Sequence, residues 1–142
     1  MNEANVNQYT LHTGTNGGQC KLDPNADPRY NVSQSKSFLG NPLGLECKSA
    51  DGANAGCGVN DFDGSAGGSF NKANGGVIAM LWDETQVTIW RFGRNQIPND
   101  IQTGNPNPDT WGTPVAYWSD KSCDIAGSFR DNKRAHHPYP SL

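Results

Sequence analysis

Two runs of apolar residues separated by four polar ones form the strongest pattern in the chain, within GGVIAMLWDETQVTIWRFGR at positions 75–94. Apolar side chains occupy every position of residues 77–82, and β-branched and aromatic residues dominate residues 87–92. Because a β-strand directs successive side chains to opposite faces, the first run predicts a strand that is covered on both sides or nearly so. The spacing between the runs matches an ordinary hairpin loop, so the pattern predicts the central hairpin of an all-β sheet. A helix is disfavoured because no apolar stripe at i, i+3, i+4 and i+7 crosses the polar residues.

A shorter strand is predicted near the start of the chain, at residues 8–13. Its alternation places Tyr9 and Leu11 on one face and the polar Gln8, Thr10 and His12 on the other. From the residues alone, the polar side is an ordinary strand face in contact with water.

The rest of the chain carries weaker signals. Prolines interrupt residues 20–58, which show almost no regular pattern, and residues 111–118 predict a short edge strand because Pro114 lies near its start. No periodicity continues beyond position 129. We therefore predict one partial domain over residues 1–128 and a divergent, disordered tail over residues 129–142.

Composition and charge exclude several classes of partner. The formal net charge of −3 comes without a cluster of lysine and arginine, which disfavours nucleic-acid binding. No run approaches the ~20 apolar residues that a membrane span requires. We predict no cofactor and no metal site, since the pair His136-His137 lacks the further ligands that a structural metal site needs.

The four cysteines lie at positions 20, 47, 57 and 123 and include no Cys-x-x-Cys pair. This spacing favours disulfides formed in an oxidising compartment over a zinc ribbon. Cys47 and Cys57 are the candidates to close a short loop, while pairing of either one with Cys20 or Cys123 stays open. Asn31 begins the sequon Asn-Val-Ser and is a candidate glycosylation site.

Two close acidic pairs are the candidates for catalytic groups. Asp61 and Asp63 would share one face of a strand, but the Gly-Ser that follows them indicates a turn, so we interpret them as a solvated loop. Asp83 and Glu84 are interpreted as the hairpin turn.

The four tryptophans divide into two groups. Trp82 and Trp90 lie in the predicted hairpin and are interpreted as core residues. Trp111, beside prolines and a glycine, is the candidate for an exposed aromatic platform.

Five stretches of the chain occur together in one known family, in the same order and at similar spacing. They are NQYTLHTG (7–14), NAGCGV (54–59), SFNKANGGVIAMLW (69–82), IWRFGRNQIPNDI (89–101), and WGTPVAYW followed by CDI (111–125). On these residues the chain resembles the second half of fungal endo-1,3(4)-β-glucanases of the laminarinase type, in glycoside hydrolase family 16. The resemblance covers residues 7–125.

The resemblance implies a fold and an activity. The expected fold is a concanavalin A-like jelly-roll β-sandwich, incomplete in this chain, with a cleft across one concave sheet that holds a β-glucan chain. The implied reaction is hydrolysis with retention, in which two carboxyl groups about 5–5.5 Å apart act as nucleophile and acid/base. In the family these groups follow a Glu-x-Asp-x-x-Glu pattern, about a dozen residues before the histidine that matches His12. A further expectation from the family is a glutamate where this chain has Leu81.

The Glu-x-Asp-x-x-Glu pattern does not occur in the 142 residues, so we predict no catalytic residue in this chain and no hydrolysis by it alone. The alternative hypothesis is a non-catalytic jelly-roll remnant that binds β-glucan, and a third is a truncated product without a stable fold. By the resemblance, His12, Thr10 and Gln8 line the cleft, and β-glucan is the expected partner. With that partner, Trp111 is the candidate platform on which a pyranose ring would stack. The resemblance also implies an extracellular protein, although the first residues lack an apolar signal segment. The oligomeric state is not predicted.

Overall fold

The computed structural model describes the backbone of residues 4–134 and the side chains of residues 4–129. Within this range six strands occur, namely β1 (Gln8–Leu11), β2 (Asn41–Pro42), β3 (Cys57–Asn60), β4 (Gly76–Trp82), β5 (Gln86–Gly93) and β6 (Ala116–Ser119). They form two antiparallel three-stranded sheets with the orders β1-β3-β2 and β4-β5-β6. The predicted all-β architecture with two sheets is confirmed.

Short helical segments connect the strands. In the part of the chain that the structure describes they are α1 (Gly67–Lys72), α2 (Asn99–Gln102) and α3 (Ile125–Arg134), with 3-10 turns at Val32–Gln34, Arg94–Gln96 and Pro108–Thr110. No helix among these described residues has the length and apolar character needed to cross a membrane.

The predicted hairpin is present, and every residue of β4 pairs with a residue of β5. The turn between them is held by Asp83, whose Oδ1 accepts hydrogen bonds from the backbone amides of Thr85 (2.7 Å) and Gln86 (3.1 Å). Burial opposes ionisation of Asp83, but the hydrogen bonds from Thr85 and Gln86 outweigh burial and lower the pKa of its carboxyl. Asp83 and Glu84 therefore form the turn, as expected.

The two sheets pack through facing sides of β3, β5 and β6. Trp118 of β6 donates a hydrogen bond from Nε1 to Sγ of Cys57 on β3 (3.1 Å), and Arg91 of β5 pairs with Asp61, the residue after β3. We call these facing sides the inner faces and the opposite sides the outer faces. The core between and around them includes Leu22, Phe38, Val59, Val87, Val115, Ala116, Trp118 and Ile125.

Strand β4 is not covered on both sides, so the prediction of a strand that is covered or nearly so is wrong. Ile78 and Met80 keep 49% and 60% of their surface exposed. The register places them opposite Arg91 and Ile89, which puts them on the inner face of the second sheet. Strand β4 forms the edge of that sheet, while the contacts with the first sheet just described come from β5 and β6.

Two disulfides hold the long irregular region in place. Cys47 pairs with Cys57, which confirms the predicted bridge, and Cys20 pairs with Cys123. The two bridges therefore use all four cysteines of the sequence. In the chain-entropy model, a crosslink spanning about 100 residues stabilises the folded state by about 4.7 kcal/mol, more than a short loop does. The span of 103 residues in the second bridge accordingly makes it the stronger constraint on the unfolded chain.

The end of the described chain is helical. Helix α3 runs to Arg134, so the tail boundary predicted at residue 128 falls inside a helix. Phe129 is buried and packs edge-on against Trp82, with ring centroids 5.8 Å apart. Residues 135–142, with the histidine pair, lie outside the described residues.

Candidate functional site

The polar side of β1 forms an exposed outer face on the first sheet. Gln8, Thr10 and His12 are exposed, whereas Tyr9 and Leu11 are half-buried and pack against the core. The alternation predicted from the sequence is present, and it brings the three predicted cleft residues together on one side. Their chemistry is mixed, because amide and hydroxyl groups both donate and accept hydrogen bonds, and a neutral imidazole does too.

The register extends this face across the sheet. Asn60 of β3 lies opposite Gln8 on β1 and opposite Asn41 on β2, so three amide side chains form a row. In the next row, Gly58 lies opposite Thr10, and the backbone amide of Leu43 donates to the Gly58 carbonyl (2.8 Å). The polar face is defined here as Gln8, Thr10, His12, Asn41, Leu43, Gly56, Gly58 and Asn60.

Two glycines of the first sheet region leave space for the side chains of the polar face. A Cβ on Gly58 would lie 3.1 Å from Oγ1 of Thr10, and a Cβ on Gly56 would lie 2.8 Å from Nδ1 of His12. Gly56 also has a φ of +71°, which side-chain-bearing residues rarely adopt. The side chains of Thr10 and His12 therefore lean across β3, close to the backbone of the sheet.

Only part of the hydrogen-bonding capacity of the polar face is used within the protein. Gln8 donates from Nε2 to Oγ1 of Thr10 at 2.9 Å, in an exposed position. The ring of His12 makes no side-chain hydrogen bond to another described residue. Leu43, with 52% of its surface exposed, adds one apolar contact area to the polar face. The polar face thus offers donors, acceptors and a small apolar surface to a neutral ligand rich in hydroxyl groups.

Trp111 does not join the polar face. It is half-buried on the outer side of the second sheet, where its ring packs edge-on against Trp90 (centroids 5.2 Å) and Phe92 (5.6 Å). Its Nε1 donates to Oδ2 of Asp100 at 2.8 Å. Trp111 also lines a cavity of about 180 Å³ together with the Arg91 side chain. The structure therefore separates Trp111 from the three polar residues that were predicted to bind the same ligand.

The interpretation of Asp61 as a solvated residue is wrong. Its side chain is buried, and Arg91 donates to it twice, from Nε to Oδ2 (2.6 Å) and from Nη2 to Oδ1 (3.0 Å). The Tyr9 hydroxyl also donates to Oδ2, at 2.9 Å. The hydrogen bond from Arg91 to Asp61 raises the pKa of the Arg91 guanidinium. Burial and the Asp61 carboxylate raise the pKa of the Tyr9 hydroxyl. Asp61 therefore links the two sheets and is unavailable as one of a catalytic pair, while Asp63 is exposed.

A larger cavity lies elsewhere on the described part of the chain. It has a volume of about 670 Å³ and is lined by Lys21, Asp23, Asp120, Lys121 and Asp124 among others. None of the residues of the polar face borders it. Its charges are of both signs and mostly exposed, so we give it less weight than the polar face.

Asn41 and Asn60 are members of the polar face that were not predicted from the sequence. The alternation of Cys57 and Val59 with Gly58 and Asn60 contained the signal for Asn60, since β3 sends alternate residues to opposite faces. Strand β2 is only two residues long and contains a proline, so no local pattern marked Asn41.

Solved structures with the same architecture are enzymes of glycoside hydrolase family 16. The chain superposes with a TM-score of 0.71 and 31% identity on an elongating family 16 β-1,3-glucosyltransferase, covering 89% of this chain and 37% of that one. It superposes with a TM-score of 0.68 and 34% identity on laminarinase 16A of Phanerochaete chrysosporium, covering 86% of this chain and 38% of that one. That laminarinase holds β-glucans in both its donor and its acceptor sites. The expectation of a jelly-roll sandwich present in part is confirmed.

The sequence profile of the XgeA-like, catalytic domain of glycoside hydrolase family 16 matches residues 1–134. The chain therefore belongs to glycoside hydrolase family 16, as the resemblance indicated.

Curated relatives are fungal glycosidases. A probable endo-1,3(4)-β-glucanase of Neosartorya fischeri is 38% identical over 133 residues, which are 94% of this chain and 18% of the relative. A probable glycosidase of Schizosaccharomyces pombe is 35% identical over 94% of this chain and 30% of the relative. An endo-1,3(4)-β-glucanase of Arthroderma benhamiae is 31% identical over 94% of this chain and 27% of the relative. The chain thus spans less than a third of the length of these three relatives.

Proposed function

We propose that this chain provides a β-glucan-binding face within a glycoside hydrolase family 16 domain acting on β-1,3(4)-glucan. The observation that carries the proposal is the row of exposed Gln8, Thr10 and His12 side chains above glycines on one sheet. The family membership and the β-glucans bound to the similar laminarinase support the choice of ligand.

The chemistry of the polar face suits a neutral polysaccharide. Sugar hydroxyls both donate and accept, and Gln8, Thr10 and His12 offer both kinds of group on β1 and the residue that follows it. Each hydrogen bond exchanges with water and contributes about 0.5–1.5 kcal/mol net. Three such bonds with an apolar contact to Leu43 would give about 4 kcal/mol, and the loss of translational and rotational freedom on binding costs about as much or more. We therefore expect weak binding that strengthens with the number of glucose units in contact.

Hydrolysis needs a further element. A retaining glycosidase uses two carboxyl groups flanking the scissile bond, about 5–5.5 Å apart. The glutamates of the sequence are Glu3, Glu46 and Glu84, and none begins a Glu-x-Asp-x-x-Glu pattern. Asp61, the most buried acidic side chain near the first sheet, is bound to Arg91. We propose that these 142 residues contribute binding, and that any hydrolysis by the domain uses carboxyl groups from outside this sequence.

Binding and hydrolysis can be tested separately. Affinity electrophoresis in gels containing laminarin, with dextran as the control polymer, measures retardation of the chain. We expect His12→Ala and Thr10→Ala to weaken retardation about fivefold each, consistent with the loss of about one hydrogen bond. Gln34→Ala is the matched control, because Gln34 is also exposed but lies in the 3-10 turn outside the polar face. Equal retardation of the wild type and these three variants would exclude the polar face as the site.

The second measurement is release of reducing sugar from laminarin by the purified chain. No release above a heat-inactivated sample is expected. Release that survives repurification would contradict the binding-only role and leave the β-glucan assignment intact.

A further inference from the structure

The sequence contains one N-glycosylation sequon, Asn31-Val32-Ser33. It lies in the long irregular region between β1 and β2, at the start of the 3-10 turn Val32–Gln34. Asn31 is half-exposed, Ser33 is exposed, and Val32 keeps 74% of its surface in solvent. The sequon therefore lies on the protein surface.

The local geometry leaves the acceptor nitrogen free. Ser33 donates from Oγ to Oδ1 of Asn31 at 3.4 Å, which turns the amide carbonyl towards the hydroxyl of its own sequon. Among the described residues, Nδ2 of Asn31 has no hydrogen-bond partner. The backbone around it is fixed, since the Asn31 amide donates to the Pro28 carbonyl at 2.8 Å and the Gln34 amide donates to the Asn31 carbonyl at 3.3 Å.

The neighbouring residue fixes which side of the protein the sequon occupies. Tyr30 points inwards, where its hydroxyl donates to Oε1 of Gln86 (2.7 Å) and its ring packs edge-on against Trp90 and Tyr117. Trp90 lies on the outer side of the second sheet, opposite to the inner face that carries Arg91. A group attached at Asn31 would thus project from the second sheet, away from the polar face on the first sheet.

The disulfides indicate a compartment in which the modification occurs. All four cysteines are paired, and structural disulfides of this kind persist in the lumen of the endoplasmic reticulum and outside the cell. Asparagine-linked glycosylation takes place in that same lumen, on surface sequons of secreted proteins. The sequon, its exposure and the disulfides therefore agree.

We propose that Asn31 carries an asparagine-linked oligosaccharide. The donor is an oligosaccharide linked to a lipid diphosphate, used by the oligosaccharyltransferase of the host. The bond between the sugar C1 and the diphosphate oxygen breaks, and its electron pair leaves with the lipid diphosphate. Nδ2 of Asn31 bonds to C1 and releases one proton to the surrounding water. The first sugar would stand beside Val32 and shield its exposed apolar side chain from solvent. This inference does not depend on β-glucan binding.

The test is expression of the chain in yeast behind a secretion leader. Lumenal and secreted protein are compared on gels before and after endoglycosidase H, and tryptic peptide 30–36 is analysed by mass spectrometry. That peptide contains the whole sequon and no other, because Arg29 and Lys36 are the flanking cleavage sites. Variants Asn31→Gln and Ser33→Ala should lose the mobility shift, whereas Ser33→Thr should keep it. Asn25→Gln is the matched control, since Asn25 is an exposed asparagine in the same region outside a sequon.

The expected result is one endoglycosidase-sensitive species in the wild type, Ser33→Thr and Asn25→Gln, with most of peptide 30–36 glycosylated. Lumenal wild-type protein whose peptide 30–36 is wholly unmodified would overturn the proposal. The wild-type peptide decides the question even where a variant fails to accumulate.

Discussion

The buried carboxylate of Asp61 offers the sharpest test of how the two sheets are joined. Replacing Asp61 with alanine leaves the Arg91 guanidinium and the Tyr9 hydroxyl without their shared acceptor. Removal of one partner from a buried ion pair typically costs about 3–5 kcal/mol, because the other charge stays buried and unpaired. The Arg91 side chain keeps 19% of its surface exposed, so water can partly solvate the guanidinium after the change. We therefore expect a loss near the lower end, about 3 kcal/mol.

A loss of that size is large against the total stability of about 5–15 kcal/mol for a domain. Urea denaturation followed by tryptophan fluorescence measures it. With an m-value of about 1–3 kcal/mol per M, the midpoint should fall by about 1–3 M. Asp63→Ala is the matched control, since Asp63 is exposed two positions away and should change stability by about 0.5 kcal/mol or less. The double variant Asp61→Ala with Arg91→Ala should recover part of the loss, because it removes the unpaired charge as well.

The reasoning would be refuted if Asp61→Ala and Asp63→Ala unfolded at the same urea concentration. That result would mean that the ion pair gains no more than its desolvation costs. Recovery of stability in the double variant, without a loss in the single one, would contradict the argument in the same way.

Three further predictions concern other parts of the molecule. Replacing Cys47 and Cys57 together with serine should lower stability by roughly 3 kcal/mol, from the short-loop estimate, in thermal unfolding under oxidising conditions; a change below about 1 kcal/mol would contradict it. Burial opposes ionisation of Asp27, but hydrogen bonds from two hydroxyls and a lysine outweigh burial and lower its pKa. The ionised Asp27 should contribute its full stability above the unfolded pKa of about 3.9, and that contribution should be lost as the pH falls through the lower folded pKa. Asp27→Asn should therefore flatten the decrease in stability at acid pH, measured by unfolding at a series of pH values. An unchanged decrease would refute the assignment. The double variant Ile78→Thr with Met80→Thr should alter stability by less than about 1 kcal/mol, because both side chains are already exposed. Exposed apolar side chains promote self-association, so the same variant should reduce concentration-dependent light scattering. Unchanged scattering would rule out a role of these two side chains in self-association.

Local patterns predicted the parts of the fold that local interactions determine. The hairpin of β4 and β5 follows from contiguous residues, and the alternation of β1 correctly placed Gln8, Thr10 and His12 on one side. Strand β2 was not predicted, because two residues, one of them a proline, have no periodicity. They become a strand only through pairing with β3. The apolar run of β4 by itself predicted coverage, whereas the exposure of Ile78 and Met80 follows from which strands face β4 and not from β4 itself.

Distant partners decide the roles of the charged and aromatic residues. The motif Asp-Phe-Asp before a turn predicts a solvated loop, and for Asp63 this is correct. Asp61 differs only because Arg91, 30 positions later, and Tyr9, 52 positions earlier, converge on its carboxylate. Trp111 was predicted to be an exposed platform from its proline and glycine neighbours, but its packing against Trp90 comes from a different strand. No local signal separates these outcomes.

The polar face depends on strand pairing that is fixed from the inner face of the first sheet. A one-residue slip between β1 and β3 would turn Gln8, Thr10 and His12 inwards and bring Tyr9 and Leu11 to the surface, because side chains alternate along a strand. The bond from the Tyr9 hydroxyl to Asp61 and the Cys47–Cys57 bridge at the other end of β3 oppose that slip. The Tyr9–Asp61 bond lies at the inner face, where Arg91 of β5 also holds Asp61, so the second sheet contributes to the pairing within the first. The exposed side chains of the polar face are therefore positioned by residues on the other side of the sheet.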